Sequence, residues 1–443
     1  MRALRDPVRL IPVLFAGFIA LGTMLLWLPI ATASGEQAPL VTAFFTATSA
    51  VAVTGLIVVD TGTFWSAFGQ VVILMLFQIG GFGIMTAATL LGMLAGRGFG
   101  LRDRMATQVE RDRLDIGDAR GVLRLIFKIT LAVELLVAII LVWRFSGAHQ
   151  MPLSAAVWHG LFHSISAFNN AGFSTFSDSL MGFQEDPFVL VPIAISVVIT
   201  ALGFPVMQDI RARGFAFRRW TLHSKITVTT TAALLAGGFA LILAKEWNNP
   251  ATLGQMEVGA KALNAFFHSV MPRTAGFNSL DMSALRGETI MLNYALMFIG
   301  GGSAGTAGGI KITTFAVLLA IVYCEVRKQR DAVLFGRRVG HAVERQALSI
   351  VVMASILIMA VTMFILIQTE LPIRDVLFET ISAFSTVGLS TGITAQLPAG
   401  SLLGLCLLMF VGRVGTITVA TALALGGAKR TPYRYPEETP IVG

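Results

Sequence analysis

The chain has 443 residues, 55% of them hydrophobic and only 13% charged, a balance that excludes an ordinary water-soluble domain. Its formal net charge of +8 does not point to nucleic acid, because the basic residues are scattered between apolar runs with no interleaved stacking aromatics. Cys324 and Cys406 both lie in apolar stretches and imply packed thiols rather than a disulfide or zinc site.

The N-terminus, MRALRDPVRL, runs into an apolar segment near Leu10 to Ile30 with no small-residue cleavage site close behind it, and reads as a retained anchor. Further apolar segments follow near Phe68 to Leu94, Leu125 to Trp143, Phe188 to Met207, Ile226 to Leu243, Ile290 to Val326, Leu348 to Ile367 and Leu402 to Leu425. Each approaches the length of about 20 helical residues that a bilayer core requires. Between them lie four runs too short to span, Leu40 to Val51, Ala155 to Phe168, Ala260 to Met271 and Ile373 to Ser385, and each is expected to dip in and return.

The expected fold is an all-α integral membrane protein with four parallel M1-P-M2 (potassium-channel-like) repeats around a pseudo-fourfold pore. It has eight transmembrane helices and four re-entrant pore helices. Repeat 1 covers 1–97, repeat 2 with a cytoplasmic linker 98–212, repeat 3 with an intramembrane glycine-rich loop (300–311) 213–330, repeat 4 331–428, and a cytoplasmic tail 429–443.

Lysine and arginine are retained on the cytoplasmic side of a membrane. They crowd the N-terminus (Arg2, Arg5, Arg9), 97–128, 211–225, 327–345 and the tail (Lys429, Arg430, Arg434), whereas Arg144, Lys245, Lys261, Arg273, Arg286 and Arg374 fall on the side of the short runs. Both termini are therefore expected in the cytoplasm. The basic loops act as topology determinants, with a second role as a docking face for a cytosolic partner.

In each short run a phenylalanine is followed ten residues later by a glycine: Phe45 and Gly55, Phe162 and Gly172, Phe266 and Gly276, Phe378 and Gly388. The turns read Val53-Thr54-Gly55, Asn170-Ala171-Gly172, Thr274-Ala275-Gly276 and Thr386-Val387-Gly388. Glycine permits the left-handed backbone that turns successive carbonyls onto one axis, and four such turns would ring an ion with backbone oxygens. The helices before them aim their negative dipole ends at the centre, which favours a cation. Asp60, Asp178 and Asp281 follow three of the turns and are read as an outer vestibule that concentrates cations, or as loop caps.

The sixth apolar segment is broken by Gly300-Gly301-Gly302-Ser303-Ala304-Gly305-Thr306-Ala307-Gly308-Gly309, six glycines in ten residues. No helix persists through such a run, and non-helical backbone at membrane depth is tolerated only when buried in protein or lining water. It is read as a gate in the pore below the filter. Arg413, a charge inside the eighth segment, is placed opposite it, bonding loop carbonyls. Lys311 either snorkels to the inner interface or assists the closed loop. Glu134 either pairs with Lys128 or caps an inter-helix contact. His163 and His268 read as hydrogen-bond anchors, and no HExxH, GxSxG or paired intramembrane aspartates suggest an enzyme.

AVTGLIVVDTGT at 52–63, FHSISAFNNAGFS at 162–174, PRTAGFNSLD at 272–281, GGGSAGTAGGIK at 300–311 and SAFSTVGLSTG at 382–392 resemble the membrane subunit of the Ktr type in the Trk/Ktr/HKT potassium transporter superfamily. The resemblance implies channel-like potassium uptake across the bacterial inner membrane. Four filter glycines are associated there with preference for K⁺ over Na⁺, and the glycine loop and Arg413 with the gate. It further implies a homodimer on a cytosolic ring of nucleotide-binding regulatory subunits, K⁺ as the transported ion, Na⁺ as an activator, and no organic cofactor in this chain. No tyrosine or second glycine follows the turns as in TVGYG, so the filter is expected to be shorter than that of a potassium channel. A Na⁺- or H⁺-coupled secondary transporter is the alternative, disfavoured because the repeats run parallel rather than inverted.

Overall fold

The computed structural model describes residues 7–95, 119–329 and 331–415. Residues 1–6 with Arg2 and Arg5, the basic stretch 97–118, the end of the eighth apolar segment and the tail 429–443 lie outside the described residues.

The elements follow one order four times: a long helix, a short helix, a turn at a glycine, and a returning helix. The first set is α1 (Pro7–Leu26), α2 (Leu40–Val51) and α3 (Ala67–Ala95). The second is α4 (Ala119–Gly147), α5 (Leu153–Asn169), and α6 (Pro187–Leu202) with α7 (Phe204–Arg213). The third is α8 (Leu222–Glu246), α9 (Val258–Val270), and α10 (Gly287–Phe298) with α11 (Ile312–Val326). The fourth is α12 (His341–Gln368), α13 (Ile373–Ser385) and α14 (Ala399–Val414). Among the described residues, three helices are long and apolar enough to cross a membrane, α8, α12 and α4 from Arg124 onward, and the α6–α7 pair makes a fourth if counted as one span.

That pair departs from the single span expected over Phe188 to Met207, because the chain bends by 88° at Gly203. Gly203 takes φ 85°, ψ 159°, and Pro205 follows in the first turn of α7, where its missing N–H costs nothing. A second departure from an all-α chain is a small antiparallel hairpin, β1 (Val333–Leu334) with β2 (Arg337–Arg338), in the basic 327–345 region. Phe335 and Gly336 at its tip both have positive φ, as a tight hairpin requires.

The short helices lie at the centre of the packing. Phe45, Phe162 and Phe378 are wholly buried, and Phe77 of α3 meets Phe162 edge-on at 5.6 Å and stacks with Phe173 at 5.9 Å. In the third set the enclosed ring is Phe267, while Phe266, which stands ten residues before Gly276, is half-buried. Since lipid is as apolar as these side chains, close packing rather than water exclusion holds such helices together. The short helices are thereby fixed in place, and their C-terminal turns meet.

Candidate functional site

Each short helix ends in the same three-residue conformation. The residue two before the glycine is left-handed, with φ of 56° at Val53, 58° at Asn170, 76° at Thr274 and 49° at Thr386. The glycine is again positive, at 91°, 68°, 73° and 95° for Gly55, Gly172, Gly276 and Gly388. Three of the four leading residues are β-branched, a type that resists this backbone, so the surroundings hold the strain. The middle amide turns back to its own helix: Thr54 to the Ser49 carbonyl at 2.8 Å, Ala171 to Ser166 at 2.8 Å, Ala275 to Met271 at 3.1 Å and Val387 to Ser382 at 2.9 Å.

The four turns meet in a closed ring. A Cβ built on Gly55 would overlap the carbonyl oxygen of Ala171 and stand 3.1 Å from the Cα of Gly172. One on Gly172 would stand 2.8 Å from the Ala275 oxygen and 3.1 Å from the Gly276 Cα. Gly276 faces the Val387 oxygen and the Gly388 Cα in the same way, and Gly388 faces the Thr54 oxygen and the Gly55 Cα, which completes the circuit. Any side chain at these positions would displace a neighbouring main chain.

The turns are fastened by residues that the motif reading passed over. The Ser49 hydroxyl accepts the Gly55 amide and the Ser382 hydroxyl the Gly388 amide, each at 3.1 Å, while Ser166 donates to the Phe173 carbonyl at 2.8 Å. All three stand four residues after the phenylalanine of the short helix, where the third set has Val270. That shared spacing is the sequence signal that could have found them. Asn170 is aimed by Thr200, whose hydroxyl lies 2.8 Å from the Asn170 Oδ1.

Against the ring packs the glycine-rich loop. Its ends are joined, since the Gly300 amide donates to the Ile310 carbonyl at 2.9 Å and the Ile312 amide to the Gly301 carbonyl at 3.0 Å. On one side the Gly302 amide donates to the Ala201 carbonyl at 2.7 Å and the Phe204 amide to the Ala304 carbonyl at 3.3 Å, seating the loop on the α6–α7 bend. On another, a Cβ at Gly308 would overlap the Thr386 hydroxyl and stand 2.8 Å from the Ser385 carbonyl oxygen. Arg413 of α14, buried, donates to the Thr306 carbonyl and at 3.3 Å to the Gly80 carbonyl of α3. Lys311 donates to the Ala307 carbonyl within the loop.

Arg273, one of the basic residues on the side of the short runs, is buried behind the third turn, with its Nη2 3.5 Å from the Gly300 carbonyl oxygen. Glu134 takes the Gln78 side-chain amide at 3.0 Å. His268 lies against Asn293 at 3.1 Å. Asp178 and Asp281 share one surface pocket with Gln184 and Thr252 that Asp60 does not line. Asp281 accepts from the Ser283 amide at 2.9 Å and hydroxyl at 2.7 Å, and Asp60 from the Thr63 amide at 2.8 Å, both as turn caps.

Comparison with known proteins places the chain in a family. The family model described as a cation transport protein, TrkH, matches residues 2–428. The chain belongs to the TrkH cation transport family. Among this family, the Ktr system potassium uptake protein B of Bacillus subtilis (strain 168) is 40% identical, over 97% of this chain and 96% of that protein. The potassium/sodium uptake protein NtpJ of Enterococcus hirae is 34% identical, over 99% and 97%. The crystal structure of the potassium transporter TrkH from Vibrio parahaemolyticus shares the fold with a TM-score of 0.76 at 17% identity, over 95% of this chain and 85% of that one.

Proposed function

We propose that this TrkH-family chain takes up potassium through the ring formed by Val53, Thr54, Gly55, Asn170, Ala171, Gly172, Thr274, Ala275, Gly276, Thr386, Val387 and Gly388. The observation that carries the reading is the closure of the glycine circuit. Main-chain oxygens rather than charged side chains then face a passing ion, and such oxygens suit an alkali cation by replacing its hydration shell. The pore-helix C-termini add partial negative charge at the same place.

The loop 300–311 with Arg413 is the gate in this reading, because it fills the space below the ring and is held by bonds that can be broken without unfolding a helix. The relatives named for potassium uptake support K⁺ as the cargo, and the one named for potassium and sodium supports Na⁺ as a second or activating ion. The relatives' names describe a Ktr system with a B component, which supports a regulatory partner on the cytosolic side. A homodimer, cytoplasmic termini in a bacterial inner membrane, and four M1-P-M2 repeats divided near residues 97, 212 and 330 complete the proposal.

The test is rubidium tracer uptake by protein reconstituted in liposomes, driven only by the rubidium gradient. Saturable uptake competed by K⁺ is expected. Uptake that appears only with an imposed Na⁺ or proton gradient would replace conduction by coupled transport, and no cation uptake at all would overturn the reading.

A further inference from the structure

The outer face of the ring is fastened unevenly. Ser174 stands two residues after Gly172, and Ser390 two residues after Gly388. Each serine Oγ accepts the amide two residues on, from Phe176 at 3.0 Å and from Gly392 at 2.8 Å. Each hydroxyl also reaches back to the pore-helix side chain that follows the buried phenylalanine: Ser174 to the Nε2 of His163 at 2.9 Å, and Ser390 to the Oε1 of Glu379.

The chemistry on the two pore helices differs but the role is the same. The Nδ1 of His163 donates to the His159 carbonyl at 2.8 Å, which leaves Nε2 as the acceptor for Ser174. Glu379, wholly buried, also accepts the Thr391 amide at 3.2 Å and the Thr394 hydroxyl at 2.9 Å. The corresponding pairs in the other repeats are Thr46 with Ile57 and Phe267 with Asn278. Ile57 and Phe267 have no polar side-chain atom, and the Asn278 side chain donates instead to the Leu280 carbonyl at 3.1 Å. Because the circuit runs from repeat 1 through 2 and 3 to 4, the two fastened repeats face each other across the axis.

We propose that Ser174 with His163 and Ser390 with Glu379 are positioning struts that brace one diagonal of the ring, and that discrimination between K⁺ and Na⁺ depends on this bracing. The inference rests on the ring being the ion filter. Only Phe173 or Leu389, both buried, separates each serine from its glycine, so a shift of the serine carries the glycine peptide with it. A ring free to contract improves its contacts with the smaller Na⁺, and one braced on a diagonal resists that contraction.

The test is the ratio of rubidium to sodium tracer uptake in liposomes for Ser174→Ala, Ser390→Ala, their double variant, Glu379→Gln and Asn278→Ala, each checked for monodispersity. The double variant is expected to lower the ratio by about tenfold, the scale of a lost buried hydrogen bond, and each single variant by less. Glu379→Gln, whose amide oxygen still accepts the serine hydrogen, keeps most of the ratio, and Asn278→Ala keeps it all. An unchanged ratio in the double variant overturns the struts, as does an equal fall in Asn278→Ala, which would mark general loosening. If the double variant does not fold, the single variants carry the same comparison. Gly388→Ser, measured alongside, separates the two levels: if it lowers the ratio and the strut variants do not, only the struts fail, and if it too leaves the ratio unchanged, the filter reading fails.

Discussion

The guanidinium of Arg413 donates to the carbonyl oxygen of Thr306, joining α14 to a loop 107 residues earlier in the chain. Its second bond, to Gly80, brings in α3 from the first set of helices. A buried charge in a membrane protein is costly unless acceptors face it, and the docked loop supplies one of the two carbonyls that the Arg413 Nη atoms reach, while its buried Nε stays without a partner.

Arg413→Ala should therefore release the loop. Hydrogen bonds from a charged group contribute about 1.5–3 kcal/mol each, so the open population is expected to rise by roughly tenfold or more. Rubidium efflux from proteoliposomes measures this. Flux equal to that of the unmodified protein would remove Arg413 and the loop from the gate.

Gly276→Ala should abolish the preference for K⁺ over Na⁺, because its Cβ would overlap the Val387 carbonyl oxygen while the backbone stays at φ 73°. Left-handed backbone in a residue with a Cβ adds about 1–2 kcal/mol of strain to the overlap. Competition of Na⁺ against rubidium uptake reports the change, and an unaltered competition curve would contradict it.

Thr200→Val removes the hydroxyl that reaches the Asn170 Oδ1 at 2.8 Å, the shortest of the three contacts the Thr200 hydroxyl makes, the others being to the Ser196 and Val197 carbonyls at 3.1 Å. An unpaired buried acceptor costs about 1–3 kcal/mol. The concentration of K⁺ that halves rubidium uptake should rise several-fold, and Thr200→Ser should restore it. Failure of the serine variant to restore it would mean that packing, not the hydroxyl, is what Thr200 supplies.

Asp186, at the N-cap of α6, accepts from the Arg144 Nε at 2.6 Å, the His149 Nε2 at 2.8 Å and the Phe188 amide at 3.0 Å. Burial opposes its charge, but these bonds outweigh burial and hold the carboxyl below its ordinary value. A lowered folded-state value stabilises fully above the unfolded value of about 3.9, and the contribution is lost as pH falls through the lower folded one. The thermal stability of detergent-solubilised protein should fall below about pH 4, and Asp186→Asn should flatten that dependence while lowering stability at neutral pH. An identical pH profile in the variant would discount the cluster.

The ring was legible in sequence because a backbone that only glycine tolerates leaves a fixed mark, and the spacing from Phe45 to Gly55 recurs three more times. The loop was legible because six glycines interrupt an apolar run. The bend at Gly203 was not, since the apolar run continues past it through Phe204-Pro205-Val206-Met207 and only the Gly203-Phe204-Pro205 wording marks it. Arg273 escaped for a related reason: counting basic residues by segment places it in an outer loop, whereas the fold tucks it behind the third turn. The pairing of Glu379 with Ser390 joins two elements by side chains alone, and no periodicity announces that.

The circuit of glycines has a sense of rotation. The nearest neighbours of Gly55 lie in the second set, those of Gly172 in the third, of Gly276 in the fourth and of Gly388 in the first. Damage at one corner is thus passed to a particular neighbour, and an added methyl group in one repeat disturbs the oxygen supplied by the next. Second-site changes that compensate for such damage belong one repeat ahead, so the four quarters of this chain are free to drift apart only as an ordered chain of pairs.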